Sequence, residues 1–172
     1  IINILKLELE RNYDQQVMIL VHTKSLIKEL YDKIFEFNED VGLYVGGMKE
    51  PALKESEGKK VIIATYSMAS EGLDIKTLTT LIMATPKSDV CQSVGRILRS
   101  KHANPMVIDI LDTHDVFKSQ FEKRKKYYHT KEYIIQKYVS LNNYIDDTFT
   151  LLEKKSRKRA AKPSTKCLIN LS

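Results

Sequence analysis

Two arginines in the segment from Asp89 to Arg99 carry the strongest chemical signal in this sequence. Asp89, followed three residues later by Gln92, has the spacing of a capping box, which predicts that a helix begins here. Helical spacing then places Gln92, Arg96 and Arg99 on one face. Guanidinium groups a turn apart suit a multiply charged oxyanion such as a nucleotide γ-phosphate, because they match phosphate oxygens and keep their charge. The alternative is a surface helix whose arginines meet nearby carboxylates.

A glycine, Gly95, lies directly before the first of these arginines. Inside a helix a glycine costs about 1 kcal/mol relative to alanine. Its presence therefore indicates that another backbone or a ligand approaches the helix at this point.

A polar loop after a predicted strand offers further ligands for phosphate. The strand ends at Thr65, and the chain then reaches Gly72 and Asp74. Such a loop presents a hydroxyl and backbone N–H groups to phosphate, and a carboxylate to ribose hydroxyls or to an arginine. The loop alone is a common pattern. It becomes specific because Gln92 and the arginine segment follow 18 residues after Asp74.

Short apolar runs alternate with segments of helical or polar pattern along the chain. The predicted strands cover 17–21, 41–45, 61–65, 81–84 and 106–111, and the predicted helices cover 23–37, 116–128 and 132–144. This alternation predicts an α/β fold with three layers, in which helices cover both faces of a mainly parallel sheet of five to six strands. Ligands gather at the carboxyl ends of strands in such sheets.

Composition predicts one main domain of 172 residues with a basic tail. The chain has 28 Lys and Arg against 22 Asp and Glu, and the whole excess lies in residues 151–172. This tail is typical of a mobile arm that binds polyanions, and equally of a solvated or targeting segment. The two cysteines do not form a disulfide framework or a metal site, so we expect a reducing, intracellular compartment. No run reaches the roughly 18 apolar residues of a membrane span, and no membrane partner is expected.

The loop from Thr65 to Asp74 and the pattern Gln92-x-x-Gly95-Arg96-x-x-Arg99 together resemble motifs V and VI of superfamily 2 helicases. The strand, loop and helix over 17–34 resemble motif IV. Within the superfamily, the sequence over 44–47, 63–74 and 84–89 looks most like that of the transcript-release helicases of poxviruses and other large cytoplasmic DNA viruses. The resemblance covers about residues 14–138.

The resemblance implies the second of two RecA-like domains. Residues 1–13 would lead in from a missing N-terminal RecA-like domain, residues 14–150 would form the helicase domain, and residues 151–172 would be the basic tail. The parent protein would be an ATP-dependent helicase with a role in viral transcription, in contact with the transcription machinery. It would act in the virus factory of the host cytoplasm, and the virion is a second location that this resemblance allows.

The same resemblance implies a role for each site residue. Arg96 and Arg99 would be catalytic arginine fingers that reach ATP on the first domain, with Gln92 beside them. Gly72, Asp74 and Gly95 would contact the nucleotide or position a finger. The backbone of one DNA or RNA strand would be held by Thr23, Lys24, Gly46, Gly47 and Thr65.

Two motifs of an ATPase are absent from the sequence. It has no Gly-x-x-x-x-Gly-Lys-Ser/Thr phosphate loop, and no Asp-Glu pair after a strand that would hold Mg²⁺. The one Gly-Lys pair, Gly58-Lys59, precedes a strand, which is the wrong order. We therefore expect ATP and Mg²⁺ to bind mainly on the missing N-terminal domain and this fragment alone to be inactive. The competing interpretation is a non-catalytic nucleic-acid or protein-binding module with a RecA-like fold.

Three other groups of residues have a chemical and a structural interpretation. The first, Asp109, Asp112, His114 and Asp115, suggests a metal site, but polar caps at a strand-to-helix turn are favoured. The basic run 123–126 with Tyr127 and Tyr128 suggests a nucleic-acid clamp or, at least as readily, a solvated helix face. His22 ends a strand near the expected nucleic-acid site, but a satisfied buried histidine is favoured.

Overall fold

The computed structural model describes residues 1–71, 75–88, 90, 94–95, 105–112, 114–153 and 166–171. Its helices are α1 (Ile2–Arg11), α2 (Lys24–Phe35), α3 (Glu50–Glu57), α4 (Tyr66–Glu71), α5 (Asp115–Thr130) and α6 (Leu141–Ile145). Its strands are β1 (Gln16–Val21), β2 (Val41–Tyr44), β3 (Val61–Thr65), β4 (Leu78–Met83), β5 (Met106–Leu111), β6 (Ile134–Tyr138), β7 (Thr150–Leu151) and β8 (Lys166–Leu171). None of the helices in these ranges is both long and apolar enough to cross a bilayer.

The strands form one sheet in the order β2-β3-β1-β4-β5-β8-β6-β7. Every neighbouring pair is parallel except β6 and β7. The register places Val21 opposite Thr65, and Tyr44 opposite Ala64. Just after β4, the N–H of Ala84 donates to a carbonyl of β1 at 3.0 Å. The carboxyl ends of β1, β2, β3 and β4 therefore meet at one edge of the sheet.

Two apolar clusters cover the two faces of this sheet. Along β1 the side chains alternate between them, so that Met18 and Leu20 belong to one cluster and Ile19 and Val21 to the other. Helices α4 and α5 contribute to the first cluster, whereas α1, α2 and α6 contribute to the second. Every residue of β1 is buried. A parallel strand that is covered on both faces has a continuous apolar sequence, which is why this run was recognisable.

The predicted three-layer α/β fold with a mainly parallel sheet is confirmed. The five predicted strands are present, and β6, β7 and β8 extend the sheet beyond the predicted five or six. The helix predicted over 132–144 was wrong for most of its length, and only 141–144 are helical, as part of α6. Glu132 has φ +60° and so ends the preceding helical region, and Ile134–Tyr138 then pair as β6. The short helix α3 was not predicted.

The predicted mobile tail also needs correction, in part. Residues 166–171 form β8, which pairs with β5 on one side and β6 on the other. A strand with partners on both sides forms its backbone hydrogen bonds within the sheet, whereas the backbone of a mobile arm is not bonded to the rest of the protein. Residues 154–165 lie outside the described residues.

Helix α1, which lies within the segment 1–13, packs on the rest of the domain. On α1, Leu5 is fully buried and Ile4 is nearly so. Glu8 of α1 accepts a hydrogen bond from the hydroxyl of Tyr144 on α6 at 2.5 Å, and Arg11 donates to the Tyr144 carbonyl at 2.8 Å. The first and last described helices are thus joined on one face of the sheet.

Close packing of α3 against β2 predicts that Gly42→Ala destabilises the protein. A Cβ at this position would lie 3.0 Å from the Ser56 Cα, which is backbone and cannot move aside cheaply. Such overpacking costs about 1–3 kcal/mol. We expect a lower midpoint in urea for Gly42→Ala. Gly58→Ala is the matched control, because its Cβ would meet the Glu55 carbonyl at an ordinary 3.5 Å. Equal midpoints for the two variants would contradict this account.

Candidate nucleic-acid and nucleotide interface

The five residues predicted to hold nucleic acid all follow carboxyl ends of neighbouring strands. Thr23 and Lys24 come after β1, Gly46 and Gly47 after β2, and Thr65 ends β3. Because these strands are adjacent and parallel, the structure brings the five residues to one edge of the sheet. All except Thr65 are exposed.

The amino end of α2 faces this edge and lacks a side-chain cap. Thr23 is the N-cap residue, with extended backbone, but its side chain does not bond to the first turn. The first N–H groups of a helix have no partner within the helix, and together with the helix dipole they attract an anion. Lys24 adds a full positive charge at the same point.

The glycine pair forms a tight turn after β2. The N–H of Met48 donates to the Val45 carbonyl at 3.4 Å, and Gly47 has φ +92°. A positive φ at the third position of a turn is a conformation that glycine adopts without strain. On the inner side of the turn, a Cβ at Gly46 would lie 3.9 Å from the Met68 sulfur of α4. The turn therefore sits next to the helix that follows Thr65.

Thr65 begins a direct strand-to-helix junction that the sequence did not reveal. The chain passes from β3 into α4 with no loop between them. The Thr65 hydroxyl accepts a long hydrogen bond from the Met68 N–H at 3.4 Å and lies 3.1 Å from the Ser67 hydroxyl. It is thus oriented by α4 at the edge of the sheet.

A cluster of polar side chains fastens the loop that follows β4. His22 Nδ1 lies 2.7 Å from the Thr85 hydroxyl, and the buried Tyr66 donates its hydroxyl to the Thr85 carbonyl at 2.6 Å. Lys87 Nζ lies 4.9 Å from the centre of the Tyr66 ring, a cation–π contact. Burial raises the pKa of Tyr66. Burial and the nearby Lys87 charge lower the pKa of His22.

A buried ion pair also bonds to the same loop. The guanidinium of Arg124 donates to both oxygens of Asp109, from Nε at 2.7 Å and from Nη2 at 2.9 Å. A third bond runs from Nη1 to the Lys87 carbonyl at 2.8 Å. The Tyr128 hydroxyl donates to Asp109 at 3.1 Å. Both Arg124 and Asp109 are only 1% exposed.

The arginine segment is described at three residues, Val90, Val94 and Gly95. Val90 and Val94 are buried in the cluster that also contains Phe121 and Tyr128 of α5, and the Val94 N–H donates to the Val90 carbonyl at 2.8 Å, which is one helical turn. The remaining predicted nucleotide-site residues, Gly72, Asp74, Gln92, Arg96 and Arg99, lie outside the described residues.

Packing does not by itself account for Gly95. A Cβ there would meet the Tyr127 hydroxyl at 3.6 Å, an ordinary contact, and no described atom outside its own segment lies closer. The close approach that this glycine suggests is therefore not made by the described part of the domain.

The structure changes three interpretations of polar residues. Asp109 is neither a metal ligand nor a cap but the buried partner of Arg124. Asp112 accepts a bond from the His114 N–H at 3.1 Å in the turn before α5, whose N-cap residue, His114, makes no side-chain cap bond. Arg124 is buried and so belongs neither to a clamp nor to a solvated face. His22 is exposed rather than buried.

Comparison with known proteins agrees with this architecture. The family described as the helicase conserved C-terminal domain matches residues 1–101, which is more than half of the chain. The chain belongs to this family. The match spans the carboxyl edge and the arginine segment of the helicase C-terminal domain.

Similar proteins come from large DNA viruses. A protein of Acanthamoeba polyphaga mimivirus named as an ATP-dependent RNA helicase is 47% identical over 117 residues, which are 66% of this chain and 22% of that protein. An African swine fever virus protein with the same kind of name is 31% identical over 132 residues, 70% of this chain and 26% of that protein. The helicase C-terminal domain thus spans about a quarter of the length of these relatives.

A solved structure supports the fold. The C-terminal part of the Fun30 ATPase domain superposes with a TM-score of 0.58 at 14% identity, over 71% of this chain and 44% of that chain. At this level of identity the likeness concerns the RecA-like fold alone.

The pKa of His22 provides a test of the polar cluster. We expect it to lie below the ordinary value of 6.5, and to rise in Lys87→Gln because a nearby cation is removed. A histidine whose folded pKa is lowered adds stability above its unfolded pKa and loses it as the pH falls through the folded value. Acidification from neutral pH should therefore lower the melting temperature of the wild type more than that of His22→Gln.

NMR titration of the His22 ring, assigned by its loss in His22→Gln, checks both expectations. Lys118→Gln, which removes a cation paired with Asp115 on α5, is the control and should leave the His22 pKa unchanged. A His22 pKa that stays the same in Lys87→Gln would refute the described geometry.

Proposed function

We propose that this domain is the C-terminal half of an ATP-dependent helicase or translocase that grips one nucleic-acid strand by its backbone and supplies arginine fingers to ATP. The observation that carries this proposal is the gathering of Thr23, Lys24, the Gly46-Gly47 turn and Thr65 at one edge of the sheet. The loop that leads to the arginine segment leaves the same edge, since Ala84 pairs with β1.

The grip on nucleic acid would use mainly neutral groups. The uncapped amino end of α2, the exposed backbone of the Gly46-Gly47 turn and the Thr65 hydroxyl are donors of the kind that suits single phosphates. Contacts with the nucleic-acid backbone do not distinguish one base from another, so the proposed helicase includes both DNA and RNA among its substrates. Movement along the strand requires such sequence-independent contacts.

The nucleotide would lie between two domains. Arg96 and Arg99 would neutralise charge that develops on the transferred phosphoryl group, with Gln92 beside them. Gly72, Asp74 and Gly95 would approach the ribose or position a finger. Within the described residues no three His, Cys, Asp or Glu side chains gather in a way that could hold a metal ion. We assign ATP and Mg²⁺ mainly to the N-terminal RecA-like domain of the same polypeptide, because this sequence has no phosphate loop and no Asp-Glu pair after a strand.

The proposed cycle is closure that is gated by ATP. With ATP between the domains, the arginines bridge them, and loss of the γ-phosphate weakens this bridge. Alternating grips on the two domains then move the protein along one strand.

The relatives suggest where the parent protein works. Their names describe ATP-dependent RNA helicases of viruses. We infer a viral enzyme that acts inside the host cell, in the cytoplasmic virus factory and with the transcription machinery as a partner, and that has the virion as a second location.

Replacing an arginine finger tests the nucleotide role. In the protein extended N-terminally to include its partner domain, Arg99→Ala should reduce nucleic-acid-stimulated ATPase turnover by about 10³-fold or more, because the transition-state charge loses its partner. Nucleic-acid affinity should persist. The measurement is steady-state phosphate release with and without nucleic acid.

The 172-residue chain alone is the control and should be inactive. Unchanged turnover in Arg99→Ala would refute the finger role. Absence of ATPase activity in both proteins, with salt-sensitive nucleic-acid binding intact, would favour the non-catalytic binding module.

Substitution of Lys24 tests the proposed grip. Lys24→Gln should weaken binding to single-stranded nucleic acid uniformly across sequences, and the slope of log K against log salt should fall by about 1, because one phosphate contact is lost. Lys33→Gln is matched, since Lys33 lies on the same helix, is exposed, and is about 13 Å further from its amino end. Fluorescence anisotropy at several salt concentrations measures both. Equal losses in the two variants would indicate a general charge effect and contradict a site at the end of α2.

A further inference from the structure

We propose that Arg124 is a positioning residue for the arginine segment and that it acts through the backbone of Lys87. This inference rests on the proposed function, because it concerns how Gln92, Arg96 and Arg99 are presented to ATP. It assigns a role to a residue of α5 that lies outside all of the helicase motifs in the sequence. The link is one hydrogen bond, from Arg124 Nη1 to the Lys87 carbonyl at 2.8 Å.

The geometry makes this bond rigid. Asp109 lies on β5, in the middle of the apolar run 106–111, and its two oxygens fix the guanidinium plane through two bonds. Tyr128 donates to the same carboxylate at 3.1 Å. The guanidinium therefore cannot rotate, and its remaining edge points to the loop. A planar group with several donors can bond a carboxylate and a carbonyl at once, which an ammonium group cannot do with the same fixed directions.

Stability alone does not explain the arrangement. Removing two charges from water costs about as much free energy as their attraction returns, so apolar side chains of similar volume would serve the core equally well. The loop would then keep its contacts with Tyr66 at Thr85 and at the Lys87 ammonium group, but would lose the hydrogen bond that fixes the Lys87 carbonyl. What the ion pair adds over an apolar core is therefore the fixed position of that carbonyl.

The anchored carbonyl lies immediately before the functional segment. Lys87 is five residues before Gln92 and nine before Arg96. After the loop, Val90 and Val94 are buried in the same cluster as Phe121 and Tyr128 of α5. The segment is thus held at its start by a hydrogen bond from α5 and then by apolar contact with the same cluster. A shift of the Arg124 side chain would be passed to the start of the arginine segment.

Two readouts test this role. In the two-domain protein, Arg124→Lys should lower kcat for ATP by about a hundredfold, because a small misplacement of catalytic groups has an effect of that size, while KM and nucleic-acid affinity stay the same. In the 172-residue chain, amide hydrogen exchange over residues 84–95 should accelerate by about tenfold, because a charge-assisted bond to the loop is lost. The second variant is Asp109→Asn, which keeps the shape of the side chain. It should show a smaller fall in kcat and a smaller acceleration of exchange than Arg124→Lys.

Tyr144→Phe is the matched control. Tyr144, like Tyr128, is a buried tyrosine whose hydroxyl donates to a buried carboxylate, but it lies on the opposite face of the sheet and bonds Glu8 at 2.5 Å. It should lower the melting temperature without changing kcat or the exchange over residues 84–95. The proposal would be overturned if kcat fell in Tyr144→Phe as it does in Arg124→Lys, in proportion to the stability that each variant loses. It would also be overturned if hydrogen exchange over residues 84–95 were unchanged in Arg124→Lys and Asp109→Asn.

The two readouts separate this inference from the proposed function. If Arg99→Ala retains full turnover, the finger role fails, and the exchange measurement still decides whether Arg124 holds the loop. If Arg99→Ala is inactive but Arg124→Lys has normal kcat and normal exchange, the finger role stands and the positioning role is refuted.

Discussion

The parallel alignment of β1 to β4 is the constraint on which the rest of this structure depends. Parallel strands must be buried on both faces, so each needs apolar residues throughout, and their helices must lie outside the sheet. The same alignment brings the polar residues that follow these strands to one place, the edge formed by the carboxyl ends. His22 meets Thr85 there, and Thr65 lies beside Val21. The location of the candidate site therefore follows from strand direction before any side chain is considered.

Among the described residues, each face of the sheet has a buried carboxylate that joins distant parts of the chain. On one face Asp109 is bonded by Arg124 and Tyr128, which links β5 to α5 and, through Lys87, to the loop after β4. On the other face Glu8 is bonded by Tyr144, which links α1 to α6. The two clusters use similar chemistry but do different things. The first reaches the loop that leads to the arginine segment, whereas the second joins α1 to α6.

The sequence allowed the sheet to be predicted because its strands are short apolar runs with polar residues between them, a pattern that is typical of buried parallel strands. Two features were ambiguous. Residues 132–144 satisfy a helical and a strand pattern alike, and the backbone of Glu132 decides between them, which no side-chain pattern reveals. The sequence does contain a signal for the ion pair. Asp109 interrupts an apolar strand. Arg124 lies three residues after Phe121 and four before Tyr128, so it continues the apolar face of its helix. A charge at a core position of a strand requires a partner, and this apolar face identifies it. The interpretation of 123–126 as a basic run hid this, because it grouped neighbours in sequence that point to different sides of a helix.

Under the proposed function this domain would supply only part of a nucleotide site, which would demand precise positioning. Its guanidinium groups would have to meet a phosphate held by another domain, so contacts within the site itself would not correct an error in their position. Burial of Val90 and Val94 fixes the depth of the segment against the core but not its register along the chain direction, because apolar contacts are not directional. A hydrogen bond from a fixed guanidinium to the Lys87 carbonyl does define that direction. Apolar contact at Val90 and Val94 together with one directional hydrogen bond at Lys87 is sufficient to define where the segment begins. Both contacts are made on the face of the sheet that α5 covers.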